Sequence, residues 1–262
     1  RIAGYAESAY QQVSADLKHD LAFKIPLILF KTSSEFQQQN VIPGAAQEGV
    51  GAFAEPMRFR IVMPMDEPPD LLYRLMVHEL THQFEFDMIP TSLVRRNVPL
   101  WVNEGLSDYM TGLWRPLDLM TVRDAAVADI VPRMSELEGY TQTGSIRNVY
   151  NLGHAVFEFM ESRWGKEGIR QFLFSLRKSV IGGGEDAYME VPRTLIDDSD
   201  PPDDVTTQRD LVGLASGDCG QRLLDRVVAW RAADVDPWVE ASIIVESRDL
   251  HLDQILSVGG RR

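Results

Sequence analysis

The sequence predicts an α+β chain in which residues 1–108 build a small sheet with helices and residues 109–262 are mainly helical. Three observations carry this. Two strand-like runs, IPLILFK at 25–31 and RFRIVM at 58–63, lie early in the chain. Between Asp70 and Pro90 there is neither Gly nor Pro, and apolar residues wrap most of a helical circumference, as in a buried helix. After Asp108 the segments 117–130, 149–164 and 167–180 show helical spacing of their apolar residues.

Taken in order, Ile2, Tyr5, Ala6, Ala9, Tyr10, Val13 and Leu17 recur at three- and four-residue spacing and predict a helix over residues 1–20. The run 25–31 has strand length. Thr32-Ser33-Ser34-Glu35-Phe36 fits a helix start with Ser33 or Ser34 as the capping residue. Residues 40–51 read as loop, and 58–63 as a second strand by alternation. Pro68-Pro69-Asp70 supplies a stop and then a cap at Asp70, followed by Leu71, Leu72, Leu75, Met76, Val77, Leu80 and Phe84. Farther on, Gly165 ends the 149–164 helix and Gly182-Gly183-Gly184 the next. Residues 197–206, DDSDPPDDVT, are acidic and proline-bearing; without the ordered spacing of a calcium loop they read as a solvated loop. A helix is expected over 221–232, a strand-like run at 241–246 and a helical one at 249–257, with no internal repeat.

The chemistry sits between Asp70 and Asp108. His78-Glu79-Leu80-Thr81-His82 is an H-E-x-x-H motif. On a helix, residues four apart share a face, so His78 and His82 can aim two imidazoles at one Zn²⁺ ion. Glu79 is rotated about 100° from His78. It is poorly placed to bind the same ion but well placed to reach a water on it, where a general base belongs. A catalytic zinc wants three protein ligands and one open position. Glu104, in Asn103-Glu104-Gly105-Leu106-Ser107-Asp108, is the best third ligand. Burying two histidines and a glutamate without partners is costly, and a metal removes that cost.

These two clusters together resemble the gluzincin zinc metallopeptidases, a peptidase MA-like group. Trp101-Val102-Asn103-Glu104-Gly105 is similar to the aminopeptidase-like form, and Asn103-Glu104 with Ser107-Asp108 to the thermolysin-like form. The resemblance is specific over 70–108 and general in order over 25–180. It implies a gluzincin-like fold, a small mixed sheet with the active-site helix followed by a mainly helical subdomain, with the cleft between the parts. It implies that Asp108, one turn beyond Glu104, hydrogen-bonds the free ring nitrogen of a zinc histidine. It also implies that residues 50–63, before the active helix, act as a sheet edge pairing with extended substrate. Tyr150-Asn151-Leu152-Gly153 is similar to a Y-x-x-G setting whose tyrosine donates to the oxyanion; the alternative for Tyr150 is a half-buried core tyrosine. His154, one turn on, is either a donor to that oxyanion, a supporting group, or a plain helix histidine. Gly51-Ala52-Phe53-Ala54-Glu55 departs from the aminopeptidase G-x-M-E-N pattern: Glu55 comes one position late and Pro56 replaces Asn. It reads as a loop carboxylate in water.

Composition bounds the rest. At 44% hydrophobic and 25% charged, the chain is an ordinary globular protein, long enough at 262 residues for one large catalytic domain or two packed subdomains. A net charge of −13 argues against nucleic acid or an anionic membrane as unaided partners. The single cysteine, Cys219, allows no internal disulfide, and no apolar run reaches membrane-spanning length. A first residue of Arg1 rather than Met reads as a processed or trimmed piece of a longer polypeptide, and the expectation is an exported chain: periplasmic, secreted or membrane-tethered. The expected function is zinc-dependent hydrolysis of peptide or protein substrates with Glu79 as base. Two alternatives stay open: a peptidase-like zinc-binding interaction module, and a zinc hydrolase of a non-peptide substrate such as an acyl amide or epoxide.

Overall fold

A computed structural model describes residues 2–38, 51–89, 98–112, 114–139, 146–182 and 217–233. Helix α1 (Ile2–Leu17) buries Ala9, Val13 and Leu17, one residue per turn, against the long helix α3 (Pro69–Met88). Strands β1 (Leu27–Phe30), β2 (Phe53–Glu55) and β3 (Arg60–Pro64) form one mixed sheet in the order β1-β3-β2. β1 runs parallel to β3 with Leu27 opposite Ile61, and β2 runs antiparallel to it with Phe53 opposite Val62. The observed architecture is thus α+β, mostly helical with a small three-stranded sheet.

Three local expectations shift. The short helix α2 (Ser33–Gln37) is capped by Thr32, not by Ser33 or Ser34: the Thr32 Oγ1 accepts the Glu35 N–H at 3.1 Å. Ser33 is instead engaged by Asp66, which accepts both its N–H and its hydroxyl. Helix α3 begins one residue before Asp70, with Pro69 at its first position and no side-chain cap; a proline whose missing N–H is one of the orphan donors makes that start cheap. The third shift concerns the sheet edge. β3, the strand directly before α3, is the middle strand, and only β2 within 50–63 is an edge.

The second half is helical: α4 (Leu100–Met110), α5 (Pro116–Val127), a 3₁₀ turn (Met134–Leu137), α6 (Ile146–Gly182) and α7 (Gly217–Ala233). α6 is broken where the sequence says it should be. Gly165 has φ 62° and ψ −176°, a left-handed φ open to glycine at little cost, and it separates 146–164 from 166–182. One buried apolar cluster runs from Ala9 to Val227 through both halves, with Trp101, Phe84, Phe157 and Phe159 among its largest members.

Helices α4 and α6 approach each other closely at two glycines. A Cβ added to Gly105 would stand 2.5 Å from the backbone of Gly153, and one added to Gly153 would stand 2.4 Å from the Trp101 carbonyl oxygen. The two glycines let these helices cross backbone to backbone, and this crossing brings His154 of α6 to Asp108 of α4 and Tyr150 beside His78 of α3. Among the described residues, no helix is long and apolar enough to cross a membrane. The acidic loop at 197–206, the runs at 241–246 and 249–257, residues 40–50 of the 40–51 loop, Gly183 and Gly184 fall outside the described residues.

Candidate metal centre

Helix α3 presents Arg74, His78, His82 and Glu85 along one stripe, at spacings of four, four and three residues. Helix α4 lies across it and places Glu104, Ser107 and Asp108 opposite that stripe. The ligand atoms of His78, His82 and Glu104 all lie within 4.8 Å of one another. The Glu104 Oε2 stands 3.4 Å from the His78 Nε2 and 3.5 Å from the His82 Nε2. Donors held tetrahedrally at roughly 2.0–2.1 Å, as around zinc, are about 3.3 Å apart. Two imidazole nitrogens and one carboxylate oxygen, converging at that spacing from two helices, therefore fit a metal ion.

Burial sharpens the need for one. Glu104 and His82 are 6% and 7% exposed, so water cannot satisfy them. Burial alone depresses the His78 pKa, but Asp108 and Glu104 outweigh it and raise it to about 9. The His82 pKa is likewise raised against burial, chiefly by Glu104 and then Glu85. Burial pushes Glu104 up, yet the two imidazoles hold it well below the usual carboxylate range. The carboxylates thus create a demand for positive charge that protons meet when no ion does. The linkage has a definite sign. A histidine whose folded pKa rises from 6.5 to about 9 contributes stability that is complete below 6.5 and lost as pH rises through 9. Chelator-treated protein is therefore expected to lose melting temperature between pH 6.5 and 9 relative to a His78→Gln variant. Metal affinity should rise over the same window as protons are displaced. Thermal melts of both proteins across that range check it; parallel curves would remove the coupling.

The surrounding groups orient the ligands. Asp108 Oδ1 stands 3.6 Å from the His78 Nδ1, long for a hydrogen bond, and accepts from the Arg74 guanidinium at 2.9 Å. The His82 Nδ1 meets the Ser107 hydroxyl at 3.0 Å, with a Glu85 oxygen 3.9 Å away, in ion-pair range only. Each imidazole thus has a partner on its Nδ1 side that leaves Nε2 for an ion. Asp108→Asn is expected to weaken metal retention by about 10- to 100-fold, and Glu104→Gln by more. A chelator competition titration measures both, and equal affinity in wild type and Asp108→Asn would take Asp108 out of the centre.

Glu79 is 5% exposed, and burial raises its pKa, partly countered by His78 and His82. Its carboxylate accepts the backbone N–H of Ala54, the middle residue of β2. Because β3 covers the other side of β2, the edge of β2 that faces Glu79 has no strand paired to it among the described residues. Tyr150 stacks beside His78, with ring centroids 6.0 Å apart and planes 18° apart. His154 does not share that place. Its Nδ1 faces Asp108 Oδ2 at 3.8 Å and its ring stacks on Trp114 at 3.9 Å, so it lies behind Asp108, with its pKa lowered by burial. Glu55 is no loop carboxylate in water: it is the last residue of β2, ion-paired with Arg60 and half-turned to Arg58.

The sequence pattern marks neither Arg74 nor Glu85 and gives Ser107 only as a motif letter without a role, although helical periodicity carries the signal: Arg74 is one turn before His78, Glu85 three residues after His82 and Ser107 three after Glu104. No family model, no curated protein and no solved structure matches this chain.

Proposed function

We propose that the chain is a zinc-dependent peptidase of the gluzincin type, with His78, His82 and Glu104 as zinc ligands. The observation that supports this best is the convergence of the three ligand atoms beside a buried, unligated Glu79. Bound there, zinc would supply Lewis acidity, lowering the pKa of its water towards neutrality and polarising a carbonyl. The residues do the rest. Glu79 takes the proton from the attacking water and returns one to the leaving amine; its raised pKa suits a group that both accepts and donates near neutral pH. Asp108, with Arg74 behind it, holds the His78 ring, and Ser107 holds that of His82. Tyr150, beside His78, is assigned the hydroxyl that donates to the developing oxyanion. An extended peptide added to the edge of β2 that faces Glu79 would run past it.

Glu55 bears on the mode of cleavage. Its pairing with Arg60 occupies the carboxylate that a substrate amino terminus would need, which favours cleavage within a chain over removal of the first residue. The test is a peptide library digested with and without a zinc chelator and read by mass spectrometry. Internal cuts that stop with chelator and return with zinc support the proposal. Cleavage that chelator leaves untouched overturns it.

A further inference from the structure

We propose that Arg147 selects substrates that carry a carboxylate within three or four residues of the scissile bond. The proposal rests on the peptidase reading and adds a substrate class to it. Arg147 stands in the first turn of α6, one turn before Tyr150. Its guanidinium lies over the Tyr150 ring, and that ring stacks beside His78. The two separations are 5.8 and 6.0 Å, so the charge lies within about 12 Å of the His78 ring, the reach of three or four residues of extended chain. A peptide whose carbonyl meets the Tyr150 hydroxyl has this cation as a neighbour.

The cation is held in place, but its charge is not cancelled. Asp118 of α5 is buried, and its two oxygens accept from the Arg147 Nη2 at 2.9 and 3.1 Å. The same carboxylate accepts the Arg115 Nε–H at 2.6 Å. Two guanidiniums, charged at every working pH, thus share one carboxylate. Among the described residues neither meets another, so the group keeps a single net positive charge. Both arginine side chains are about half exposed, at 46% and 47%. Among the described residues, the Nε and Nη1 of Arg147 have no acceptor.

A bridge between α5 and α6 accounts for the Asp118 contact alone. One arginine already neutralises Asp118, so the bridge gives no reason for the second. Nor does helix energetics favour the position: a cation in the first turn opposes the helix dipole, and that turn holds no acidic residue to offset it. Charge elsewhere sharpens the contrast. The chain carries −13, and Glu79, Glu85, Glu104 and Asp108 are buried at or around the metal ligands. That field repels an anionic peptide. An excess positive charge beside Tyr150 offsets the repulsion locally and gives a substrate carboxylate a partner. Arginine suits that task, because its fixed N–H groups match carboxylate oxygens.

The test uses matched peptide libraries that differ only in Glu or Gln at one position, each made with a free and with an amidated C-terminus. The whole zinc-loaded chain digests them, and mass spectrometry reads the rates. Glu peptides are expected to be cut about three- to tenfold faster than their Gln partners, between the worth of an exposed ion pair and that of a hydrogen bond to a charged group. The ratio should fall to near one in Arg147→Gln, return in part in Arg147→Lys and shrink with added salt. Loss of a structural bridge would slow both peptides alike and leave the ratio unchanged. Arg115→Gln, which leaves Asp118 to cancel Arg147, should also lower the ratio and serves if Arg147→Gln fails to fold. A preference that needs a free C-terminus assigns the carboxylate to the chain end; one that persists in amidated peptides assigns it to acidic side chains. Binding of the same peptides to zinc-loaded Glu79→Gln, read by fluorescence anisotropy, separates recognition from catalysis. If no peptide is cut, yet Glu peptides bind better and Arg147→Gln in that background removes the difference, the peptidase reading fails and the recognition stands. Equal cutting and equal binding of Glu and Gln peptides, or a preference that Arg147→Gln leaves unchanged, overturns the proposal, while chelator-sensitive cleavage would still support the peptidase reading.

Discussion

Glu79→Gln is expected to keep the metal content of wild type while turnover falls by at least about 10²- to 10⁴-fold, the range associated with loss of a general acid–base group. The substitution preserves size and a hydrogen-bonding oxygen, so the Ala54 N–H keeps its acceptor and β2 keeps its place beside α3. None of the three converging ligands changes. The proton acceptor alone is lost, so binding and chemistry separate. Zinc content and peptide hydrolysis are measured on the same preparation. A variant as active as wild type would move the base elsewhere. If neither protein cleaves any peptide in the library, yet both bind a partner tightly, the chain is an interaction module built on a peptidase-like site.

Gly153→Ala is expected to destabilise the fold strongly for a single added methyl. Its Cβ would stand 2.4 Å from the Trp101 carbonyl oxygen and 2.7 Å from the Gly105 Cα, both backbone atoms that no side-chain rotation can clear. Helices α4 and α6 must then separate, and overpacking of this kind costs about 1–3 kcal/mol, occasionally more. In a chain of this size each kcal/mol lowers the melting temperature by roughly 2–4 °C, so a fall of roughly 6–12 °C is expected at the upper end. The ligands sit on α3 and α4, so metal affinity should change far less than stability. Activity should fall with the displacement of Tyr150. Calorimetry and chelator titration of Gly153→Ala test this together; an unchanged melting temperature would show that the two helices do not meet where the structure puts them.

What could be read from the sequence was local. His78, His82 and Glu104 are placed by helical spacing within α3 and by a short separation to α4, and the break at Gly165 needs only a glycine between two helical patterns. The grouping of Arg74 with Asp108, 34 residues apart, or of Asp108 with His154, depends on how helices cross, which periodicity does not carry. Strand order is non-local for the same reason. The alternation of 58–63 predicts a strand but not that it is the middle one, so of the residues 50–63 expected at a sheet edge only β2 lies at one. Gly105 and Gly153 were visible as motif letters, yet only the α4–α6 crossing supplies their physical reason. Asp70 read as a cap because it follows two prolines; Pro69 takes the first helical position instead.

Elemental analysis of the purified chain after incubation with zinc and removal of the excess tests the central claim most directly. About one zinc per molecule is expected, as three converging protein ligands imply, with His78→Ala and His82→Ala each losing it. Wild-type protein that holds no zinc after such loading, or variants that hold as much as wild type, would contradict a metal centre at His78, His82 and Glu104.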